Sequence, residues 1–151
     1  ATRALEKAGI PFTIHSYDYD PSADRIGIQA AQALAEHPCR VLKTLMAMAD
    51  GKPACLILPS DREASMKKLA AALGAKSAQM MSPADAERIA GYKVGGISPF
   101  GQMRAVPTVI EESAMAEPLV YINGGQRGQQ QRLAPGDAAA LLRARIAPII
   151  A

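Results

Sequence analysis

The run Arg40 to Ala49 (RVLKTLMAMA) constrains the fold more than any other segment. It is almost continuously apolar, the pattern of a strand buried on both faces. Asp50-Gly51 follows as a tight-turn pair and Ala54 to Leu58 returns as a second apolar strand, so the chain holds a hairpin that needs a layer on each side. Helical patterns supply those layers. Thr2 to Ala8 reads as a helix stopped by Gly9-Ile10-Pro11, and Ile28 to Leu34 as an Ala-rich helix ending near His37-Pro38. Arg62 to Leu73 carries Met66, Leu69, Ala70 and Leu73 at helical spacing ahead of Gly74, a natural C-terminal stop. Ser82-Pro83-Ala84-Asp85 opens another helix with Ser82 as cap and Pro83 at the first helical position. Phe12 to Tyr19 alternates as a strand broken by Pro21 and Ser22; Val109 to Glu111 and Leu119 to Asn123 also read as strands. A last helix runs from Pro135-Gly136-Asp137 to Arg145. The expectation is one α/β domain over residues 1–151, a curved or barrel-like mixed sheet flanked by helices.

Composition narrows the class. With 49% hydrophobic and 21% charged residues the chain is ordinary for a soluble globular protein, and its lack of Trp leaves the core to Ala, Leu, Ile, Val and Met. No apolar run approaches the roughly 18 residues of a membrane span, and Ala1 to Ile10 lacks the basic-then-apolar order of a signal peptide. The expected location is the cytoplasm, with no membrane association. Cys39 and Cys55 have neither CxxC spacing nor a nearby His pair, so reduced structural thiols are expected and no metal. The net charge of +3 suits a nucleic-acid partner and equally a mildly basic protein without one.

Three features could carry chemistry. Lys43 shares a strand face with Val41, Leu45 and Ala47. A charge there either pairs with an anion or reaches water along a buried stem, and both readings fit. The stretch Gly95-Gly96-Ile97-Ser98-Pro99-Phe100-Gly101 can bring backbone N–H groups close to an oxyanion or phosphate, or can simply connect a helix to a strand. Asn123-Gly124-Gly125-Gln126-Arg127-Gly128 offers Arg127 to a carboxylate or phosphate, or is a hairpin turn with a solvated arginine. His37 and Cys39 are close enough in sequence to form a dyad, although such pairs are rare. No Walker loop, H-E-x-x-H pattern or triad arrangement is present. The residues alone support a small α/β domain that binds a ligand or hydrolyses one.

The ordered segments IHSYDYDP (14–21), VLKTL (41–45), KKLAAALGAK (67–76), GYKVGGISPFG (91–101), NGGQRG (123–128) and LAPGD (133–137) together resemble the signatures of the YbaK/EbsC family. That family is similar to the editing domain inserted in bacterial prolyl-tRNA synthetases. The resemblance implies the YbaK/aminoacyl-tRNA synthetase-associated α/β fold, with a barrel-like sheet of six or seven strands. It implies a stand-alone deacylase of mischarged aminoacyl-tRNA, closest to the branch that clears Cys-tRNA(Pro), with other branches clearing Ala-tRNA(Pro). By the same resemblance Lys43, Gly96 and Gly101 are catalytic. Tyr17, Thr44, Ile97, Ser98, Pro99, Phe100, Gly124, Gly125, Arg127 and Asp137 bind substrate. No cofactor, metal or protein nucleophile is implied. The implied partners are the aminoacylated 3′ end of tRNA(Pro) and prolyl-tRNA synthetase.

Overall fold

A computed structural model describes residues 1–20 and 26–151 of the chain. The expected break at Pro21 and Ser22 lies outside the described residues. The large sheet has the order β4-β2-β3-β5-β8, built from β2 (Leu42–Ala49), β3 (Lys52–Pro59), β4 (Ala78–Met80), β5 (Thr108–Glu111) and β8 (Arg145–Ala147). β2 is antiparallel to β3 and β4, whereas β3, β5 and β8 run parallel. A small antiparallel sheet, order β1-β7-β6, joins β1 (Thr13–Ser16), β7 (Gln129–Leu133) and β6 (Val120–Asn123). The helices are α1 (Thr2–Lys7), α2 (Ile26–Ala33), α3 (Met66–Leu73), α4 (Pro83–Ala90) and α5 (Pro135–Leu142). Among the described residues the sheets do not close into a barrel. They meet through one bridge, Val41 to Tyr121, which corrects the barrel-like expectation and leaves a seam between them.

The apolar hairpin is central, as its composition requires. On one face Leu42, Met46, Cys55, Ile57 and Ile110 pack with Leu5, Ile89, Phe100 and Ile122. On the other, Ala47, Leu56, Leu58 and Val109 pack against Leu69 of α3. The two-residue period of the strands sorts each residue to its side.

Caps explain most helix ends. Ser82 Oγ accepts the Asp85 N–H at 3.2 Å, and Gly74 and Gly91 end α3 and α4 with φ of 68° and 81°. The start of α3 and the end of α5 differ most from the expectation. α3 starts at Met66 rather than Arg62, because Ser65 Oγ accepts the Lys68 N–H while the Ser65 N–H binds Ile149 O, drawing the preceding segment to the C-terminal residues. α5 stops at Leu142, since Arg143 takes φ 50° and Arg145–Ala147 joins the sheet beside β5. Strand β7 (QQQRL) is too polar to read as a strand; both neighbours in its sheet hold it by backbone pairing. No helix among the described residues is long and apolar enough to cross a membrane.

Glu111, at the end of β5, is only 2% exposed. Its carboxylate accepts the Ser113 N–H at 2.7 Å and the Ile149 N–H at 3.1 Å, fastening the C-terminal residues to the sheet. Burial pushes this carboxyl up, but the donated hydrogen bonds outweigh burial and hold it below its ordinary value of 4.5. A lowered folded-state value means the ionised group stabilises the protein above its unfolded pKa, and that stabilisation is lost as pH falls through the folded value. Glu111→Gln should therefore cost about 2 kcal/mol at pH 7, because the amide NH₂ faces a backbone N–H. The cost should shrink below about pH 4, which urea melts of both proteins at pH 7 and pH 3 will show.

Candidate active site

The seam between the sheets holds a cavity of about 460 Å³. Its wall includes the consecutive residues Val41 to Met46, the bridge residue and the first half of β2. Consecutive residues can line one cavity because β4 pairs only with Ala47–Ala49, leaving the first half of β2 with an open edge. Lys43 reaches the cavity from the α3 side of the sheet and Thr44 from the opposite side. The remaining walls come from Ser60 and Glu63, from Met80, Met81, Pro83 and Ala86, from Val94, Gly95 and Ile97, and from Asn123 and Gln130 of the small sheet.

Two wall atoms stand out by their chemistry. Thr44 Oγ1 and Gln130 Oε1 are buried and have no hydrogen-bond partner among the described residues. A buried polar atom without a partner costs about 1–3 kcal/mol, and at the cavity wall Thr44 Oγ1 is open to a donor that enters the cavity. Tyr17 Oη is likewise buried, and the Gln130 side chain is the hydrogen-bonding group that faces it. Burial pushes the Tyr17 phenol up, and the ring packs with Val41 and Tyr121 just behind the wall.

The two glycine-rich segments come together and form one side of the cavity. Asn123 Nδ2 donates to Gly95 O at 3.3 Å, and Asn123 Oδ1 accepts the Gly125 N–H at 2.7 Å. Arg127 Nε donates to Val94 O at 3.0 Å, and its guanidinium lies 5.5 Å from the centre of the Tyr19 ring. Arg127 thus clasps the loop rather than pointing freely outward. Gly96 is buried against the Gln126–Arg127 backbone.

The structure separates the other expected residues. Ile97 lines the cavity, whereas Phe100, 1% exposed, anchors the loop in the core and Pro99 is buried beside it. Ser98 is fully buried and its Oγ accepts the Phe100 N–H at 3.1 Å. The Gly96 N–H donates to Lys93 O at 2.8 Å, so both this N–H and that of Phe100 are spent inside the loop. Gly101 is exposed near Tyr92 and outside the cavity wall. Gly124 is buried beside Gln129, and Gly125, with φ 93°, lies against the Tyr92 ring. Asp137 sits in the first turn of α5, away from the wall, and the residue past the second glycine turn that does reach the cavity is Gln130. Sequence reasoning missed Gln130, Asn123 and Met81. The Gln130 signal was its place opposite His15 and Asn123, visible only once β7 is known to be a strand.

Neither thiol is placed as a nucleophile. Cys55 is sealed in the core, and burial pushes its thiol up to about 12. Cys39 Sγ donates to Glu117 Oε1 at 3.4 Å, and burial, followed by this carboxylate, raises its pKa. His37 Nδ1 accepts the Cys39 backbone N–H at 3.1 Å, so the pair forms a turn cap in place of the conceivable dyad.

Comparison with known proteins agrees with this architecture. The aminoacyl-tRNA editing domain family matches residues 20–141. A candidate Cys-tRNA(Pro)/Cys-tRNA(Cys) deacylase, EbsC of Enterococcus faecalis, is 31% identical over 99% of this chain and 91% of its own length. The proline–tRNA ligase of Acidithiobacillus ferrooxidans is 29% identical over 74% of the chain, which spans 21% of that enzyme. A crystal structure of a candidate trans-editing enzyme for prolyl-tRNA synthetase superposes with a TM-score of 0.84 at 21% identity, covering 99% of this chain and 94% of that one. The chain belongs to the aminoacyl-tRNA editing domain family.

Proposed function

We propose that the protein acts in trans on mischarged tRNA(Pro), with Cys-tRNA(Pro) as its preferred substrate. The observation that carries this reading is the seam cavity, which combines a lysine with the unpartnered Thr44 Oγ1 and the Gln130 amide on a largely apolar wall. Such a site accepts a small aminoacyl group attached to a polar, anionic carrier. Lys43 holds the terminal adenosine or its phosphate by charge-assisted hydrogen bonds. Thr44 and Gln130 receive donors of the aminoacyl–ribose unit, and Met46, Met81 and Ile97 surround its side chain. Similarity to EbsC favours cysteine over alanine as that side chain.

In the reaction the ester carbonyl carbon is attacked, the bond to the ribose oxygen breaks, and that oxygen leaves with a proton. The attacking group comes with the substrate, as a water or the aminoacyl thiol, since Cys39 and Cys55 are both engaged elsewhere. The test is release of amino acid from Cys-tRNA(Pro) and Ala-tRNA(Pro), with Pro-tRNA(Pro) as control. Loss of cysteine with proline retained supports the reading; release of alanine alone reassigns the branch, and release of neither overturns it.

Thr44→Val gives a sharper check on the wall. The substitution keeps the shape and removes a buried hydroxyl without a partner, so stability should hold or rise by about 1 kcal/mol. KM for the aminoacyl-tRNA should rise about tenfold if the hydroxyl binds substrate. Thermal melts and steady-state deacylation measure the two effects; a stabilised protein with unchanged KM removes Thr44 from the site.

A further inference from the structure

We propose that the groove between α3 and β4 is a track for backbone phosphates of the tRNA acceptor end, an inference that rests on the deacylase reading above. The groove, about 410 Å³, has a floor of small residues (Ala70, Ala71, Ala78) and walls that carry Lys67, Lys76 and Ser77. Both lysines are exposed. The Asp50 carboxylate accepts the backbone N–H groups of Lys76 and Ser77 at 3.0–3.1 Å. It therefore fixes the loop that carries Lys76.

The position of the groove argues for RNA. Ala78 in the groove and Met80 in the cavity wall are two residues apart on β4, on one face and about 7 Å from each other. Met80 pairs with Ala47, which shares its face of β2 with Lys43. A strand whose 3′ end is held at Lys43 thus leads over Met80 into the groove. Among the described residues no aromatic side chain lines the groove, so it offers charge without base stacking and reads phosphate rather than sequence.

The experiment is a salt titration of uncharged tRNA(Pro) binding, paired with deacylation of Cys-tRNA(Pro) and of 2′(3′)-O-cysteinyl-adenosine. For Lys67→Ala/Lys76→Ala, Kd for tRNA(Pro) should rise about tenfold, and the slope of log K against log salt should fall by about 1.5–2. Turnover of the cysteinyl-adenosine should stay unchanged, and the double Lys→Arg variant should restore tRNA binding. An unchanged Kd and slope would overturn the proposal. So would loss of prolyl-tRNA synthetase binding with tRNA affinity intact, which would assign the groove to a protein. A salt-dependent loss of tRNA binding supports the groove even if the wild type releases no amino acid, a result that would overturn the deacylase reading alone.

Discussion

Lys43→Ala is expected to lower kcat/KM for deacylation by about 100-fold or more while the protein folds normally. Lys43 stands on the open-edged half of β2, in the cavity wall and only half-buried. Its strand is secured elsewhere, by the full β2–β3 ladder and by Ala47 in the core beneath α3. Removing the side chain should therefore change stability by less than about 1 kcal/mol, as for substitutions outside a packed core. The substrate, in contrast, loses a cation from the cavity wall, so its anionic carrier is no longer held in line with the wall groups. A mispositioned ester loses the advantage of orientation as well as binding, so kcat should fall along with the rise in KM. Lys43→Arg should restore little, because a planar fork does not replace a compact ammonium in a shaped cavity. Single-turnover release of labelled cysteine, beside a thermal melt, reads both quantities. A folded Lys43→Ala protein with full activity would remove Lys43 from the mechanism.

The division between what the sequence shows and what it hides follows physical lines. Local features were legible: the buried hairpin from its apolar run, the caps at Ser82 and Gly74 from their residue types, and the placement of Lys43 on the strand, though not that the strand's open edge lines a cavity. The two glycine-rich segments could be picked out, but not the fact that Asn123 joins them by bonding to Gly95 O, which is a tertiary event. Gln130 and Gln131 show the limit most clearly. Gln131 is fully buried with Nε2 donating to Thr2 Oγ1, while its neighbour faces the cavity. A strand with glutamine on both faces carries no hydrophobic alternation, so β7 reads as loop and its cavity residue goes unseen. Phe100 illustrates the reverse case. A motif position beside functional glycines suggests ligand contact, but a large apolar ring is drawn into the nearest core and serves as the loop's anchor.

Gly96→Ala should damage activity more than stability, because it adds a methyl group where the two glycine-rich loops meet. A Cβ at Gly96 would lie 3.0 Å from Arg127 N and 3.1 Å from Gln126 C. Both are backbone atoms, so no side chain can swing aside, and one loop must move away from the other. The movement strains the bonds that hold the loops together, from Asn123 to Gly95 O and from Arg127 to Val94 O. Overpacking of this kind costs about 1–3 kcal/mol. The larger effect should be on activity, because Val94, Gly95 and Ile97 form the wall that the strain displaces. A shift on the order of 1 Å in a positioning element can cost about 100-fold in rate. Gly136→Ala is the internal control, since a Cβ there meets nothing within 4 Å and the residue lies inside α5. That variant should be as stable as the wild type or more so, by up to about 1 kcal/mol, with activity unchanged. Deacylation assays and melts on the pair decide the point. If Gly96→Ala melts like Gly136→Ala and turns over like it, the close approach of the two loops does not set the cavity wall. If Gly96→Ala loses activity well beyond its loss of stability, the backbone contact between the loops is what shapes the site.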